Sequence, residues 1–461
     1  HRDAISFLRY RVNFDGHHYE RFEKYLLMRI MQRYPFNGVL MPQGFYGGGY
    51  NGPDDFLASL VTADFPDAGI YRWALDNPVS MQDVEPADDT IAPTPPQGDT
   101  YVSPSALVMS SDLSDPEAVM MRMRVFPPGY SCESGTFQTY LGGAFNLAAH
   151  GERLVVEKAG YHRIDDYDYG TSARRKSTIL IDGENDPSFL QVRGAFQEAL
   201  LTGPMDYALM KTDKNASPEN CSHRRLSVDL TRRVFFVDRK FFVMADTLDA
   251  TQTHTYEWLL HGATGGGDYE VDAVSRRAEW EKPGGQRLVA HLVTDAEFNS
   301  ETLTETDYID FDDDEGYPEP YLSARVTGDQ VHYLSLMFPL DDGQQDPDVE
   351  IFDVPGGVAA SVVDPLTSHE VVIALRTGSS PLEPEGTFIC GTDGLLCLYK
   401  LDQQGDPLSL MMVEGTTASL EGTTLSLSYS QISTAVVFPS TSGPETHESQ
   451  SLPPSLWLSL D

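Results

Sequence analysis

The sequence predicts a mainly β protein, a large antiparallel β-sandwich region preceded by a short α-helical segment. Three observations predict it. Apolar residues fall at helical spacing near the start of the chain. A stretch rich in Pro, Asp and Thr follows, and beyond it short apolar runs alternate with Gly, Asp and Pro. At 461 residues the chain is longer than one core usually serves, and a hydrophobic content of 40 % is ample for packed cores.

The helical segment covers 1–82. Tyr19, Phe22, Leu26, Leu27, Ile30, Met31 and Tyr34 recur with the period of one helix face, Arg21, Glu23, Lys24 and Arg29 lie between them, and Pro35 stops the run. A loop over 44–52 is rich in Gly and holds Phe45, Tyr46 and Tyr50. Pro53, Asp54 and Asp55 open a second helix reaching about Ala63, and a third covers about Ile70 to Leu75. The glycine loop is no nucleotide fingerprint, since no strand precedes it. Its aromatic faces suit sugar rings, which makes Tyr46 a substrate-binding candidate.

Residues 83–103 have linker composition, a β-sandwich is expected over 104–380, and a C-terminal β region and tail over 381–461. Val234–Val237 and Phe241–Met244, split by Asp238–Lys240, read as a hairpin. Arg287–Val293, Tyr333–Phe338, Val371–Leu375 and Leu425–Tyr429 read as further strands of one sandwich or a pair of them. Ser440 to Pro454, rich in Ser and Pro, is expected to be a loose tail.

Charge narrows the function. There are 70 acidic residues against 32 basic, a formal net of −38, which argues against nucleic-acid binding and suits a secreted protein kept soluble in salt. Between Glu152 and Lys240, however, 15 Lys and Arg face 14 Asp and Glu, so an anionic ligand belongs there. No apolar run approaches the roughly 20 residues of a membrane-spanning helix. The chain opens on His1 with no initiator Met and no apolar leader, and reads as a processed product or a fragment.

Cys132, Cys221, Cys390 and Cys397 lack metal-site spacing, and neither a metal nor a cofactor is expected. Cys390 and Cys397 flank a Gly-Thr-Asp-Gly turn in an expected hairpin, either as a cross-strand disulfide or as free core thiols. Asn215-Ala-Ser217 and Asn220-Cys-Ser222 match glycosylation acceptors, and a secreted or periplasmic location is expected.

Four segments, in order, resemble the β-sandwich portion of heparinase II/III-like polysaccharide lyases. They are Glu133–Tyr140 with Phe145–Glu157 and Gly160-Tyr161, then Tyr169–Gly183, then Arg232–Asp246, then His254–His261. The helical hairpin resembles the end of that family's α/α toroid, and the rest of the toroid would come from another chain or region. Two departures matter. Ser131-Cys132-Glu133 stands where the family often has His-x-Asp, and Lys176-Ser177 where it has His-Asn. Those histidines, with an acid matched here by Glu157, hold a structural metal in some members; without them no zinc site is expected.

The resemblance implies cleavage of an acidic, uronate-containing polysaccharide by β-elimination. That chemistry needs a cation on the uronate carboxylate, a base for the C5 proton and an acid for the leaving oxygen. Tyr161-His162-Arg163, Tyr167-Asp168-Tyr169 and Arg174-Arg175-Lys176 supply all three types within a short span. Tyr169, which matches a family tyrosine, His162 and Tyr161 are the proton-transfer candidates. Arg174, Arg175, Lys176, His223 and Arg225 are the substrate-binding candidates, since Arg grips a carboxylate in bidentate fashion.

Plainer readings stand beside these. The tyrosines also suit strand edges, the Arg174–Lys176 run a solvated face, and His261 a hydrogen-bonded core position. Asp310–Glu315 is either a Ca²⁺ site or an acidic loop, the loop being favoured because Gly316 falls one place late for an EF-hand. Two functions remain, a lyase (or the closely related uronyl epimerase) and a non-catalytic relative with a structural or carbohydrate-binding role.

Overall fold

A computed structural model of the chain describes residues 69–70, 72–73, 91–93, 100–103, 106–125, 143–156, 176–183, 194–201, 205–212, 228–294, 299–309, 316–383, 390–392, 394–414, 417–420, 423–426, 435–440, 443–448 and 450–451. The backbone is helical at 69–70 and 72–73, within or beside the third expected helix. The two earlier helices and the glycine loop lie outside the described residues.

Antiparallel strands make up the rest. β1 (Thr100–Ser103), β2 (Ala106–Ser110), β3 (Met120–Arg124), β4 (Phe145–Ala149) and β5 (Glu152–Val155) form a five-stranded sheet in chain order. Then come β6 (Ile179–Ile181), β7 (Gly194–Leu200), β8 (Met205–Thr212), β9 (Val228–Val237), β10 (Phe241–His261), β11 (Tyr269–Asp272), β12 (Arg277–Glu281), β13 (Arg287–Thr294), β14 (Asn299–Ile309) and β15 (Gly316–Leu340). The remainder are β16 (Asp348–Val354), β17 (Gly357–Val363), β18 (Glu370–Arg376), β19 (Cys390–Thr392), β20 (Leu396–Leu401), β21 (Pro407–Val413), β22 (Thr417–Leu420), β23 (Thr423–Ser426), β24 (Ala435–Ser440), β25 (Gly443–Glu448) and β26 (Gln450–Ser451).

The largest sheet has eleven strands in the order β11-β12-β13-β15-β10-β9-β8-β7-β26, with β14 paired to β15 and β6 to β10. A seven-stranded sheet runs β16-β17-β18-β20-β21-β24-β25, and a three-stranded one β19-β22-β23. The eleven-stranded sheet is the middle layer. Because neighbouring side chains of a strand point to opposite faces, Val234 and Phe236 of β9 join Met109, Met121, Phe145 and Leu147 of the five-stranded sheet. Phe235 and Val237 join Val358, Ile373 and Leu398 of the seven-stranded sheet on the other side. Two sandwiches therefore share one sheet, which explains the unbroken apolar runs. A strand covered on one face would alternate with polar residues; one covered on both does not.

The expected hairpin is β9–β10. Asp238 and Arg239 have φ of 50° and 57°, the two left-handed residues of a type I′ turn. It sets the register Phe242↔Phe236, whose rings stack at 4.4 Å.

Three expectations are corrected. Cys390 and Cys397 do not share a hairpin: β19 pairs with β22, while β20 finds its partners in β18 and β21 of a different sheet. Cys397 is buried on the outer face of the seven-stranded sheet with Ala374 and Met412. The stretch after Ser440 is no loose tail over its described part, because β25 pairs with β24 and β26 adds to the edge of β7. The linker's last four residues are a strand, β1, paired along its length with β2.

At the other end of the middle sheet, Arg277 and Arg287 bridge Glu279 to Asp346, with Arg277 Nη2–Asp346 Oδ2 and Arg287 Nη1–Asp346 Oδ1 both at 2.7 Å. Burial works against both guanidinium charges, yet these bonds hold both pKa values above normal. His291 lies under this network with 7 % of its surface exposed. Burial, then the Arg277 charge, pushes its pKa down to about 4, against a hydrogen bond to the Ser275 backbone and the Asp346 charge. The unfolded chain takes a proton at this residue as pH falls through about 6.5, and the folded chain does not until about 4. Stability from this group is therefore full above pH 6.5 and lost on acidification, by up to about 3 kcal/mol at pH 4. Denaturant titrations at pH 7 and pH 4.5 should show this loss, and His291→Gln should lessen it.

Candidate functional site

β10 and β15 run on beyond the body of the middle sheet. β9 leaves β10 at Val228↔Ala250, the β10–β15 register shifts between Asp249 and His254, and β6 then takes the vacated side at Tyr256–Trp258. The described residues that flank 157–175 bond to this outer half of β10 and the residues just after it. Val156 N donates to His261 O at 3.1 Å, and Ala263 N to Leu154 O at 3.0 Å. On the other side Leu259 N donates to Thr178 O at 2.8 Å, and His261 N to Ser177 Oγ at 2.9 Å. The chain on both sides of 157–175 is thus bonded to β10 within two residues of His261.

Tyr161, His162, Tyr169, Arg174 and Arg175 fall inside that stretch and outside the described residues, as do His223, Arg225, Tyr46 and the acidic run Asp310–Glu315. Lys176 is described, and it is fully buried at the entrance to β6. In the run Arg174–Lys176 the third member is therefore not a solvated surface charge.

The outer half of β10 has two faces. Tyr256, Trp258 and Leu260 point into the core shared with the five-stranded sheet. Beneath Trp258 lies a buried ion pair: Arg232 Nε donates to Asp246 Oδ1 at 2.6 Å and Nη2 to Oδ2 at 2.8 Å. Trp258 Nε1 donates to the same carboxylate at 3.2 Å, Arg232 Nη1 to Gly143 O, and the guanidinium lies 5.8 Å from the Phe145 ring centre. The pair was not singled out from sequence, although its signal was there. Arg232 and Asp246 are equally far from Arg239, the middle of the hairpin turn, so they face each other across it.

The opposite face carries Glu257, Leu259 and His261, in register with Arg325, Ser323 and Tyr321 of β15. Glu257 is buried, accepting from the Ser323 hydroxyl and, at 3.1 Å, from Arg325 Nη2. The His261 ring lies over Tyr321 at 4.6 Å, and both are buried. His261 is thus a core histidine, as the plainer reading has it. Gly262 follows because Trp280 packs against the backbone there; a Cβ at 262 would sit 2.2 Å from the indole ring.

At the rim, His254 Nδ1 meets Asp182 Oδ2 at 2.8 Å, and Thr255 N donates to Asp182 Oδ1 at 2.9 Å. The neighbouring Tyr256 hydroxyl is buried without a hydrogen-bond partner. Burial, followed by the charges of Asp182, Asp249 and Asp329, pushes its pKa up to about 12, so it stays a protonated phenol. The described part of the site thus holds carboxylate-oriented groups, Arg325 by Glu257 and His254 by Asp182. Such pairs fix the direction of the side chains they hold. Among the described residues no group of three or more His, Cys, Asp or Glu is placed to hold a metal, and no helix is long and apolar enough to cross a membrane.

No protein-family model matches the chain, and no curated protein matches it. Solved structures do. A heparinase III gene product aligns with a TM-score of 0.60 at 12 % identity, covering 79 % of this chain and 53 % of that one. The heparan sulfate lyase HepC from Pedobacter heparinus aligns with a TM-score of 0.60 at 13 % identity, covering 79 % and 54 %. The likeness is one of fold, and the chain spans about half the length of these structures.

Removing one member of the buried pair leaves an uncompensated charge in the core, which costs about 3–5 kcal/mol. Asp246→Ala should lower the denaturation midpoint accordingly, while Arg232→Met with Asp246→Leu should regain most of the loss.

Proposed function

We propose that this chain is the β-rich portion of a secreted or periplasmic polysaccharide lyase that cleaves an acidic, uronate-containing polysaccharide by β-elimination. The observation that carries the reading is the fold it shares with heparinase III and heparan sulfate lyase structures over 79 % of its length. It is joined by the near-neutral stretch from Glu152 to Lys240, the part of a strongly acidic chain least repellent to a polyanion.

In the proposed reaction Arg174 and Arg175 pair with the uronate carboxylate and disperse the charge that develops when C5 loses its proton. His162, with Tyr161 beside it, takes that proton. The electron pair left on C5 forms the C4–C5 double bond, the C4–O bond breaks, and Tyr169 protonates the leaving oxygen. His223, Arg225 and Tyr46 hold neighbouring sugar units. Lys176, being buried, contributes positive potential from beneath the site rather than direct contact. A further helical region or a second chain completes the cleft.

A second reading, a non-catalytic relative that binds carbohydrate or serves as scaffold, is favoured by one observation. Lys176-Ser177 stands where the lyases it resembles carry His-Asn, and both residues are buried.

Incubation with uronate polymers, in the presence of the helical region, separates the two. A lyase releases products with the ultraviolet absorbance of an unsaturated uronate; no product from any such polymer leaves the second reading. In an active preparation Tyr169→Phe should lower turnover by about 10²-fold or more, with the melting temperature unchanged. A rate close to wild type would remove Tyr169 from the role of acid.

A further inference from the structure

At the end of β10 remote from His261, the three layers enclose a cavity of about 410 Å³, within the size range of small-ligand pockets. Its lining includes Phe241, the first residue of β10, whereas His261 is the last residue of that 21-residue strand. It is a separate place from the candidate site.

The cavity's walls come from all three layers. Phe241, Phe338, Leu340, Val362 and Val371 form an apolar floor, with the two phenyl rings 5.0 Å apart. Leu366, 76 % exposed, is an apolar lip at the mouth. An apolar body fits against this floor.

Charge around the mouth decides the rest. Lys240 Nζ pairs with Asp364 and Lys400 Nζ with Asp238, each at 2.6 Å, so those carboxylates are neutralised. Arg239 Nη1 is turned to the carbonyls of Ser110 and Ser111, at 3.3 and 3.2 Å. Asp115 and Glu117 remain. Both are exposed and line the cavity; Asp115 accepts a bond from Glu117 N at 2.9 Å, and among the described residues neither carboxylate has a cationic partner. Beside them His150 Nε2, also in the lining, is buried without a hydrogen-bond partner.

We propose that this cavity binds a small organic cation, an apolar ring or chain carrying a protonated amine, with the apolar part on the phenyl floor and the ammonium against Asp115 and Glu117. An anionic ligand would meet the carboxylates of Asp115 and Glu117 and is disfavoured. The proposal goes beyond the lyase reading and does not depend on it.

The test is calorimetry or ligand-observed NMR on the 461-residue chain at low salt with four probes: 2-phenylethylamine, 2-phenylethanol, 3-phenylpropionate and ethylamine. The expected order is phenylethylamine first, about tenfold tighter than phenylpropionate, with phenylethanol between. Ethylamine, which has the charge and no ring, should bind far more weakly, whereas general attraction to an acidic surface would treat both amines alike. Asp115→Asn with Glu117→Gln alters two exposed side chains and should leave melting unchanged while bringing the amine to within about twofold of the alcohol. Failure of every probe to bind, phenylpropionate equal to or tighter than phenylethylamine, ethylamine equal to it, or a preference that survives in the double variant would each overturn the proposal.

Discussion

The architecture depends on a sheet that has no wet face over most of its width. Where β9, β10, β13 and β15 run side by side, every residue must be apolar or internally paired, because neither surface meets water. The two outer sheets follow from this, since each exists to cover one of those surfaces. So does the bond pattern of Arg232. A guanidinium at 0 % exposure is tolerable only with its donors occupied, here by Asp246 and the carbonyl of Gly143.

Arg233, the next residue, shows the limit of that rule. Its side chain turns to the opposite surface, where Nη2 meets Glu414 at 2.9 Å while Nε and Nη1 remain buried without partners. The two arginines thus fasten the middle layer to a different neighbour on each side. Arg232 reaches the chain entering β4, and Arg233 reaches the residue that follows β21.

Much of the fold was legible wherever partners are close in sequence. The turn at Asp238–Lys240 flanked by apolar runs announced β9 and β10, and the runs' lack of alternation carried the news that both faces are covered. The partners of β20 and the pairing of β26 with β7 were not legible, since each contact joins residues far apart in the chain and local composition is silent on them. The Lys400–Asp238 bond spans 162 positions and has no sequence signature at all. At the candidate site, the segment bearing the tyrosines and arginines stood out by residue type. Ser177, Glu257, Ser323 and Arg325 did not, because they are brought together only through the β6–β10–β15 register.

The two margins of the middle sheet are protected by different means. β11 presents Glu270 and Asp272 along the outer strand, and like charges there repel a copy of themselves. β7 is shielded instead by β26, only two residues long and contributed from the far end of the chain. One flank is thus marked by charge, and the other is paired over Glu198 and Ala199. A preparation shortened ahead of Gln450 would keep its core and lose the second guard, leaving Glu198 and Ala199 with open backbone donors and acceptors. Its hazard would then be filament growth through one flank rather than unfolding.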